Sequence, residues 1–319
     1  MRTGIAVPAP YLVLGGSGFV GRHVVARLAA AGHRVTVLTR RRASARHLIL
    51  LPTVDVEEGD PFDAATLARL TVPVTAVINL VGILHERGAM SFARVHVELA
   101  RMIVAACKAA GVRRLIQMSA LGADAKGGPS RYLRSKGEAE AVIEQSGLDW
   151  TIFRPSIVFG REDRFLNLFA KLARSLPVLA VASPDARFQP VYVGDVAACM
   201  LQALADDATI GQRYALCGPK AYSLRELVAY AGEVSGFRRP VIGLGPRASR
   251  LQALALEMLP GGLMSRDNLL SMTRDNVCDA PFPSIFGVTP VALEAVAPSY
   301  LAPEAIKSPY DPYREHSGR

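Results

Sequence analysis

Cysteine is scarce in this sequence, with 4 residues among 319 and no CxxC pair. The four cysteines are far apart and stand in apolar surroundings typical of reduced core residues: Cys107, Cys199, Cys217 and Cys278. This spacing argues against both a disulfide framework and a zinc site, so we expect four thiols. His85 and His96 also lack the partner spacing of a metal site or a Ser/His/Asp triad, and a structural role is expected for each.

Long uncharged apolar runs are also missing. A membrane-spanning helix needs roughly 18 such residues, whereas the stretch from Leu251 to Met264 is interrupted by Glu257 and Pro260. The apolar run from Ile5 continues into a segment that the fold needs, unlike a secretion signal or a transit peptide. We expect a protein of the bacterial cytoplasm, soluble or peripheral on the inner face of the cytoplasmic membrane.

Aromatic side chains make up only 7% of the chain and are spread out, so it lacks the basic and aromatic clusters that hold nucleic acid. Lysine and arginine total 37 against 28 aspartates and glutamates, a net charge of +9. That excess suits an anionic ligand, but it does not choose between an acidic membrane surface and a phosphorylated small molecule. We expect no nucleic-acid partner.

What the sequence does contain is an alternation of short apolar runs with helical patterns. The helical segments carry apolar residues three and four positions apart. Six short runs read as strands: 11–14, 34–38, 54–57, 76–81, 114–118 and 150–153. Such βα units require a parallel sheet covered by helices on both faces. The pattern therefore predicts an α/β fold, a Rossmann-like doubly wound parallel sheet with a smaller C-terminal substrate-side region.

The chain changes character after Gly160, where proline becomes frequent around one strand-to-helix unit at 191–204 and a short strand at 214–217. We predict that 1–160 and 188–217 form an NAD(P)-binding Rossmann domain. The smaller substrate-side region would comprise 161–187 and 218–297. Residues 298–319 lack a packing period, which predicts an extended or disordered tail.

One helical stripe in the smaller region has two interpretations. The segment 247–259 places four apolar residues on one side: Leu251, Leu254, Met258 and Leu259. Such a stripe usually packs in a core, which is what we expect here. The alternative is peripheral contact with a membrane, in which Arg247 and Arg250 would meet lipid headgroups.

A glycine-rich loop follows the first predicted strand, and a helix begins near its end. The loop residues are Gly15, Gly16, Ser17, Gly18, Phe19, Val20 and Gly21. Its glycines provide a tight turn, close approach of the backbone to a pyrophosphate and close packing of helix on strand, while N–H groups at the helix start face the anion. Because a strand precedes it and a helix follows, the loop predicts dinucleotide binding rather than an ordinary βα turn.

The end of the second strand indicates which dinucleotide is bound. An acid about 20 residues past the loop normally accepts a hydrogen bond from the ribose 2′-hydroxyl of NAD(H). This strand ends instead in Arg40, Arg41 and Arg42, whose guanidinium groups suit a 2′-phosphate. We therefore predict NADP(H) in preference to NAD(H), with Arg40 and Arg41 on the phosphate. The alternative is that the arginines form a solvated turn.

Two further strand ends extend the predicted nucleotide site. Asp60 follows the third strand, where its carboxylate could bind the adenine amino group. Leu80, Val81 and Gly82 follow the fourth strand, where they could pack along the adenine and the ribose.

Ser119 ends the fifth strand, and the next predicted helix opens with Tyr132 and, four residues later, Lys136. That spacing places the phenol and the ammonium on one helix face. The lysine can stabilise a phenolate and hold the nicotinamide ribose, so that the tyrosine acts as acid or base near neutral pH while the serine polarises a carbonyl. A YxxxK arises by chance on many helices, but here it follows a dinucleotide loop. We predict that these three residues line the nicotinamide pocket.

Together these motifs resemble the extended and atypical short-chain dehydrogenase/reductase superfamily. A closer resemblance, over nearly the whole chain, is to the nucleotide-binding accessory subunits of respiratory complex I and their bacterial relatives. Five segments carry it: 79–84, 132–136, 154–160, 161–167 and 189–196. The resemblance implies that NADPH is tightly held and that Pro155 and Ile157 also contact it. It further implies that the protein attaches to the arm of NADH:quinone oxidoreductase near the membrane. The nucleotide would then serve assembly or stability.

The favoured function is therefore that of an NADP(H)-binding protein of the complex I accessory type, with complex I subunits as partners. Because Ser119, Tyr132 and Lys136 are all present, a free-standing NAD(P)-dependent oxidoreductase or epimerase stays open. In that alternative, Tyr132 donates a proton while a hydride leaves the nicotinamide. A third alternative is a redox sensor that reports the state of NADP(H) to a partner protein.

Overall fold

The structure, a computed structural model, describes residues 10–258 and 264–302, which divide into two compact units. The first, which we call the sheet unit, runs to Pro155 and includes Gly194–Leu216 and Pro283–Val288. The second unit comprises Ser156–Val193, Cys217–Phe282 and the residues from Thr289 on.

The described residues form thirteen strands and eleven α-helices. The strands are β1 Pro10–Leu14, β2 Arg34–Thr39, β3 Val54–Glu58, β4 Ala76–Asn79, β5 Arg114–Met118, β6 Asp149–Pro155, β7 Val158–Phe159, β8 Leu179–Ala182, β9 Arg187–Phe188, β10 Val191–Tyr192, β11 Gln212–Leu216, β12 Tyr222–Ser223 and β13 Val241–Leu244. The helices are α1 Phe19–Ala30, α2 Ala64–Thr71, α3 Leu99–Ala110, α4 Arg131–Glu144, α5 Leu166–Ser175, α6 Val193–Ala205, α7 Leu224–Val234, α8 Pro246–Met258, α9 Arg266–Ser271, α10 Leu293–Val296 and α11 Pro298–Leu301.

The sheet unit is built on seven parallel strands in the order β11-β6-β5-β4-β1-β2-β3. The order reverses between β1 and β4, and in doubly wound folds ligands bind outside the carboxyl ends of the strands at this reversal. The central strands are apolar on both faces because helices cover both: Leu12, Val13, Val77 and Ile78 are all buried. The doubly wound, Rossmann-like fold predicted from the sequence is confirmed.

The fourth strand ends two residues earlier than predicted, at Asn79. The Asn79 side chain donates to Gln117 Oε1 at 2.9 Å and accepts from Val81 N at 3.2 Å. The amide therefore closes a turn directly after the strand, and this turn directs the chain across the carboxyl edge of the sheet.

The helix that precedes β5 begins with a π-helical segment, Ala93–Glu98, which continues into α3. A π-helical turn contains an extra residue and locally reorients the side chains that follow. Here Val95, His96 and Val97 are all buried. The segment therefore directs a histidine, and not only aliphatic side chains, into the interior of the sheet unit.

The boundary of the sheet unit differs from the predicted domain extents. The prediction ran to 160, resumed at 188 and assigned all of 218–297 to the smaller region, whereas Pro283–Val288 belongs to the sheet unit. The reason is aromatic packing: Phe286 lies with its ring centroid 5.6 Å from that of Phe153 and 4.7 Å from that of Tyr214. One ring from a distant part of the sequence thus completes the edge of the seven-stranded sheet.

The second unit contains three two-stranded sheets, β10 with β7, β12 with β9 and β13 with β8. Helices α5 and α7 share its apolar core, which includes Leu166, Ala170 and Leu227. Helix α5 begins at Leu166, whose N–H donates to Asp163 Oδ1 at 2.7 Å. The carboxylate thus satisfies an N–H group at the helix start.

The prediction for the C-terminal tail is wrong over its first residues. Pro298–Leu301 forms α11, with Tyr300 and Leu301 buried in the same core as α5 and α7. Tyr300 donates through its hydroxyl to Asp163 Oδ2 at 2.9 Å, which anchors the turn. The rest of the predicted tail lies outside the described residues.

The predicted core stripe of residues 247–259 is wrong at two positions. Helix α8 forms, but Leu251 is 69% exposed and Leu254 is 43% exposed, because Ala253 is the buried residue of that turn. The Met258 side chain and Leu259 lie outside the described residues. Across 10–258 and 264–302, no helix combines the length and the apolar character needed to cross a bilayer.

The expectation of four thiols is also wrong, because Cys217 and Cys278 are joined by a disulfide. Their Cα atoms are 6.1 Å apart although 61 residues separate them in sequence. The pairing depends on the fold of the second unit: residue 276 bridges to β9, which brings Cys278 back to Cys217. Cys107 and Cys199 are buried thiols, as predicted.

Candidate functional site

The loop after β1 has the geometry of a phosphate-binding turn. Gly15 adopts φ +79, in the left-handed region that favours glycine, and its carbonyl accepts from Gly18 N at 3.0 Å. A Cβ on Gly15 would lie 2.9 Å from the carbonyl carbon of Leu80, and one on Gly21 would lie 2.2 Å from Gly15 O. Strand, loop and helix therefore approach one another more closely than any side chain would allow.

The start of helix α1 is suited to an anion. Gly18 is the N-cap and supplies no side chain to the free N–H groups, and the first turn carries no acid. Ser17, Phe19 and Val20 are all partly exposed at this helix start. Uncapped N–H groups together with the helix dipole favour negative charge at this position.

The tip of β2 lies beside this loop, since Ser17 Oγ and Thr39 Oγ1 are 3.4 Å apart. The three arginines that follow are not equivalent. Arg42 is held on β3, donating through Nη1 to Val56 O at 2.8 Å and through its backbone N–H to Glu58 Oε2. Arg40 and Arg41 are exposed, and neither guanidinium forms an ion pair with any described residue. Two guanidinium groups are thus available to a 2′-phosphate.

The other predicted nucleotide contacts lie at the same edge of the sheet, after β3 and β4. Asp60 is exposed and accepts from Phe62 N at 3.0 Å, which orders the turn into α2. Leu80 and Val81 are partly exposed where they pass Gly15, and Leu80 N donates to Leu14 O at 2.9 Å.

The three predicted nicotinamide residues are positioned by β5 and α4. Ser119 N donates to Phe153 O at 2.7 Å, so the serine lies at the carboxyl ends of β5 and β6. Tyr132 and Lys136 are in the first two turns of α4, whose N-cap Ser130 accepts from Leu133 N at 3.1 Å. Lys136 is 5% exposed, and its Nζ donates to Met118 O at 3.3 Å, next to Ser119 in the chain.

One polar atom at this position has no protein partner. The Ser119 hydroxyl oxygen is buried and makes no hydrogen bond to any described residue. A buried hydroxyl without a partner costs free energy unless a ligand satisfies it. Together with the uncapped start of α1 and the contact between Gly15 and Leu80, this shows that the residues present fit a dinucleotide.

His96 belongs to this site although the sequence indicates only a structural role for it. Its Nε2 accepts from Ile83 N at 3.2 Å, and its Nδ1 lies 2.8 Å from Ser135 Oγ. Because the Ser135 hydroxyl donates to Tyr132 O at 2.7 Å, it must accept from the histidine, which places the proton on Nδ1. The imidazole thus joins the turn after β4 to helix α4.

The electrostatics of the site are governed by burial. Burial, followed by the neighbouring Lys136 charge, lowers the pKa of His96 to about 2. Burial lowers the pKa of Lys136 to about 8, against the opposing effect of the Glu140 carboxylate. Burial raises the pKa of Tyr132 to about 12. At pH 7 the tyrosine is therefore a neutral hydroxyl, able to donate a hydrogen bond.

An ion pair supports the third turn of α4. Arg154 Nε, on β6, donates to Glu140 Oε1 at 2.9 Å, and its Nη2 contacts the same carboxylate. The side chain of Glu140 is 3% exposed and that of Arg154 is 25% exposed. The pair ties the helix that carries Lys136 to the strand beside Ser119, and the arginine is therefore engaged by a local acid.

The last two predicted contacts are the final residue of β6 and a residue just after it. Pro155, at the end of the strand in the sheet unit, accepts through its carbonyl from Leu121 N at 2.9 Å. Ile157 belongs to the second unit, where its N–H donates to Asn276 Oδ1 at 3.1 Å. Within the sheet unit, sequence patterns could not supply the contacts of His96 and Glu140, because each acts through a partner in another element.

Comparison with known proteins agrees with this geometry. A family model described as NAD(P)H-binding matches residues 15–207. The chain is 38% identical, over 224 residues, to NADH dehydrogenase (ubiquinone) 1 alpha subcomplex subunit 9 from mitochondria of Arabidopsis thaliana. That alignment covers 67% of this chain and 55% of the relative, so the chain spans about half the length of the plant subunit.

A second relative is named as an enzyme. The chain is 31% identical over 244 residues to (4-alkanoyl-5-oxo-2,5-dihydrofuran-3-yl)methyl phosphate reductase of Streptomyces griseus, covering 76% of this chain and 80% of the reductase. Among solved structures, a nucleoside-diphosphate-sugar epimerase from Staphylococcus aureus superposes with a TM-score of 0.72. It is 18% identical and covers 89% of this chain and 98% of its own, which shows the shared fold.

The resemblance to nucleotide-binding subunits of NADH:ubiquinone oxidoreductase is confirmed by the plant relative. The dinucleotide loop predicted at residues 15–21 falls at the start of the matched family region. From its phosphate loop, its parallel sheet and this match over more than half of its length, the chain belongs to the NAD(P)H-binding family.

Proposed function

We propose that this protein holds NADP(H) as a resident nucleotide and serves the structure, assembly or stability of NADH:quinone oxidoreductase. The nucleotide part is carried by one observation: two exposed guanidinium groups stand beside a loop whose glycines leave no room for side chains. The complex I part is supported by the plant relative, which is a subunit of that enzyme.

The residues on the nicotinamide side of the site suit retention of the nucleotide better than catalytic turnover. NADP(H) would supply hydride chemistry when bound. In this chain a neutral Tyr132 hydroxyl would hydrogen-bond a ribose, Lys136 would donate to the same sugar, and the buried Ser119 hydroxyl would gain a partner. The His96 bridge keeps the turn after β4 in place beside Lys136. A site this closely packed favours slow exchange of its nucleotide.

The test is to denature the freshly purified protein and identify the nucleotide that is released. NADPH in nearly equimolar amount after extensive washing is the expected result. An absence of any nucleotide, together with no heat of binding of NADPH or NADH to the folded protein, would overturn the proposal. Deletion of the gene should impair assembly of NADH:quinone oxidoreductase in the native membrane, and normal assembly without the protein would reject the complex I part.

A second function is favoured by the buried Ser119 hydroxyl, which could also polarise a substrate carbonyl. In that case the protein is a free-standing oxidoreductase in which Tyr132 donates the proton, and the Streptomyces relative, a reductase, supports the comparison. Tyr132→Phe should then abolish NADPH-dependent reduction of carbonyl substrates while leaving NADPH affinity nearly unchanged. No turnover by the wild-type protein with any carbonyl or sugar-nucleotide substrate would exclude this function.

The exposed face of α8 supports one further part of the proposal, peripheral contact with an anionic membrane. Arg247 and Arg250 are exposed together with Leu251 and Leu254. Arginines and leucines on one exposed helix suit a headgroup layer. We expect the protein to float with vesicles that contain anionic phospholipid and to lose that association in Leu251→Ser. If the wild-type protein does not float with these vesicles, the proposed membrane contact is rejected.

A further inference from the structure

The disulfide between Cys217 and Cys278 lies at the meeting point of three segments of the second unit. Cys217 directly follows β11, and Cys278 lies in an irregular segment after α9. Gln189, between β9 and β10, bonds near both cysteines. Its Nε2 donates to Gly218 O at 2.6 Å, and its Oε1 accepts from Cys278 N at 3.0 Å.

The second cysteine belongs to a short segment, residues 275–278, which is attached to Ser156 and Ile157. Asn276 Oδ1 accepts from Ser156 Oγ at 2.6 Å and from Ile157 N at 3.1 Å. The Asn276 backbone also bonds on both sides of β9, donating to Arg187 O at 2.8 Å and accepting from Gln189 N at 3.0 Å. Ser156 Oγ also lies 3.0 Å from Asn276 O, so hydrogen bonds from three other residues and one to Arg187 O hold Asn276, two residues from the disulfide.

The disulfide therefore adds to hydrogen bonds that already hold the segment 275–278 in place. Because Asn276 is held by hydrogen bonds of its own, loss of the disulfide would loosen the segment without removing what places it. A disulfide that is dispensable for the fold can be opened and closed in the native protein. In a segment without other contacts, the disulfide would be needed permanently to keep the segment folded.

The two cysteine residues differ in exposure. Cys217 is 3% exposed, whereas Cys278 is partly exposed and is followed by the exposed residues Asp279 and Ala280. Cys107 and Cys199 are fully buried, and burial raises the pKa of each thiol to about 12, which makes them unreactive. An external thiolate would therefore meet the Cys278 sulfur before any other.

We propose that Cys217 and Cys278 are a reversible thiol–disulfide site whose oxidation state sets how firmly the segment 275–278 holds Ser156 and Ile157. The co-reactant is a thiol of low molecular weight or a protein dithiol. The proposal goes beyond nucleotide binding and does not depend on it.

The chemistry is disulfide exchange. A reductant thiolate attacks the Cys278 sulfur, a new S–S bond forms to the reductant, and the old bond breaks with its electron pair leaving on the Cys217 sulfur, which takes a proton. A second reductant thiolate then attacks the reductant sulfur of this mixed disulfide. Cys278 leaves as a thiolate and is protonated. Two electrons and two protons have passed to the protein, and the reductant has become a disulfide. Oxidised glutathione carries out the reverse reaction.

The test equilibrates the full chain with buffers of different reduced-to-oxidised glutathione ratio, followed by acid quenching and mass spectrometry of alkylated thiols. We expect one two-electron transition confined to the peptides that contain Cys217 and Cys278. It should be lost in Cys217→Ser and in Cys278→Ser, and kept in the matched control Cys199→Ser. A disulfide that stays closed in every buffer until the protein unfolds, or a pair that never closes, would overturn the proposal.

Hydrogen exchange on the wild-type protein in its two redox states tests the mechanical part and needs no variant to fold. The amides of Ile157, Asn276 and Cys278 should exchange about tenfold faster in the dithiol form, because the segment opens locally. The amide of Ile116, within β5, should exchange equally in both forms. Equal rates at the first three amides would reject the coupling. Neither measurement involves a nucleotide, so failure here is distinct from failure of nucleotide binding.

Discussion

His96 Nδ1 lies 2.8 Å from Ser135 Oγ, and this contact fixes the tautomer of a histidine buried beside Lys136. The other ring nitrogen accepts from Ile83 N, so no nitrogen is left to take a proton without loss of a hydrogen bond. A helix side chain and a loop amide are thus joined through one neutral imidazole. The contact makes the turn after β4 dependent on the protonation of a single residue.

The first prediction concerns acid stability. Burial lowers the pKa of His96 from 6.5 to about 2, so below pH 6.5 the unfolded chain binds a proton that the folded protein does not. Each fall in pH therefore favours unfolding. Between pH 6.5 and 4.5 the unfolding free energy of the wild type should fall by about 2 to 3 kcal/mol more than that of His96→Gln. Urea denaturation at each pH measures this difference, and parallel curves for the two proteins would contradict it.

The second prediction concerns alkaline pH in protein stripped of nucleotide. Burial lowers the pKa of Lys136 from 10.5 to about 8, so between these values the unfolded chain holds a proton that the folded protein has released. Stability contributed by this group therefore rises with pH across that window. Relative to Lys136→Met, the wild type should gain about 3 kcal/mol between pH 7 and pH 11. A constant difference between the two proteins would show that the ammonium is not desolvated.

The third prediction concerns cofactor choice. In the double variant Arg40→Ala/Arg41→Ala the affinity for NADPH should fall by about tenfold to a hundredfold, because charge-assisted hydrogen bonds to the 2′-phosphate are lost. The affinity for NADH should stay nearly constant. The matched control is Arg34→Ala, an exposed arginine at the opposite end of the same strand. Calorimetric titration with both nucleotides measures the effect, and an equal loss for NADPH and NADH would reject the phosphate contact.

The fourth prediction concerns Gly82. A Cβ on Gly82 would lie 3.2 Å from Lys136 Nζ and 3.7 Å from His96 Nε2, so we expect alanine to shift the ammonium away from its position in the wild type. We expect Gly82→Ala to lower nucleotide affinity by roughly tenfold, the value of one lost hydrogen bond to a charged group. Gly245→Ala is the control, because a Cβ there meets no atom of residues 10–258 or 264–302 within 4 Å. Unchanged affinity in Gly82→Ala would place the nucleotide away from Lys136.

Local patterns predicted the parts of this molecule that depend on local sequence. The turn from β1 into α1 is contained in seven consecutive residues, 15–21, and the spacing of Tyr132 and Lys136 is set by one helix. The first six strands lie within two residues of their predicted ends because each apolar run is bounded by turn residues. In each case the determining residues are neighbours in the chain.

Other features depend on pairs that only the fold brings together. The disulfide joins residues 61 positions apart, and the His96 contact with Ser135 spans 39 positions. Arg154 and Glu140 meet because a strand and a helix pack, and neither sequence context indicates the partner. The sequence places Tyr300 in an extended or disordered tail because its partner, Asp163, lies 137 residues earlier. No single helix or strand contains both members of any of these pairs.

The bond from Tyr300 to Asp163 has a practical consequence for work with shortened versions of the protein. The same carboxylate accepts from Gly160 N, Leu166 N and the tyrosine hydroxyl, so a truncation before position 300 would leave a buried acid with one donor fewer. Such a protein would be weakened at the start of α5, far along the sequence from the cut. Truncated versions intended to probe only the C-terminus should therefore retain all residues up to and including Leu301.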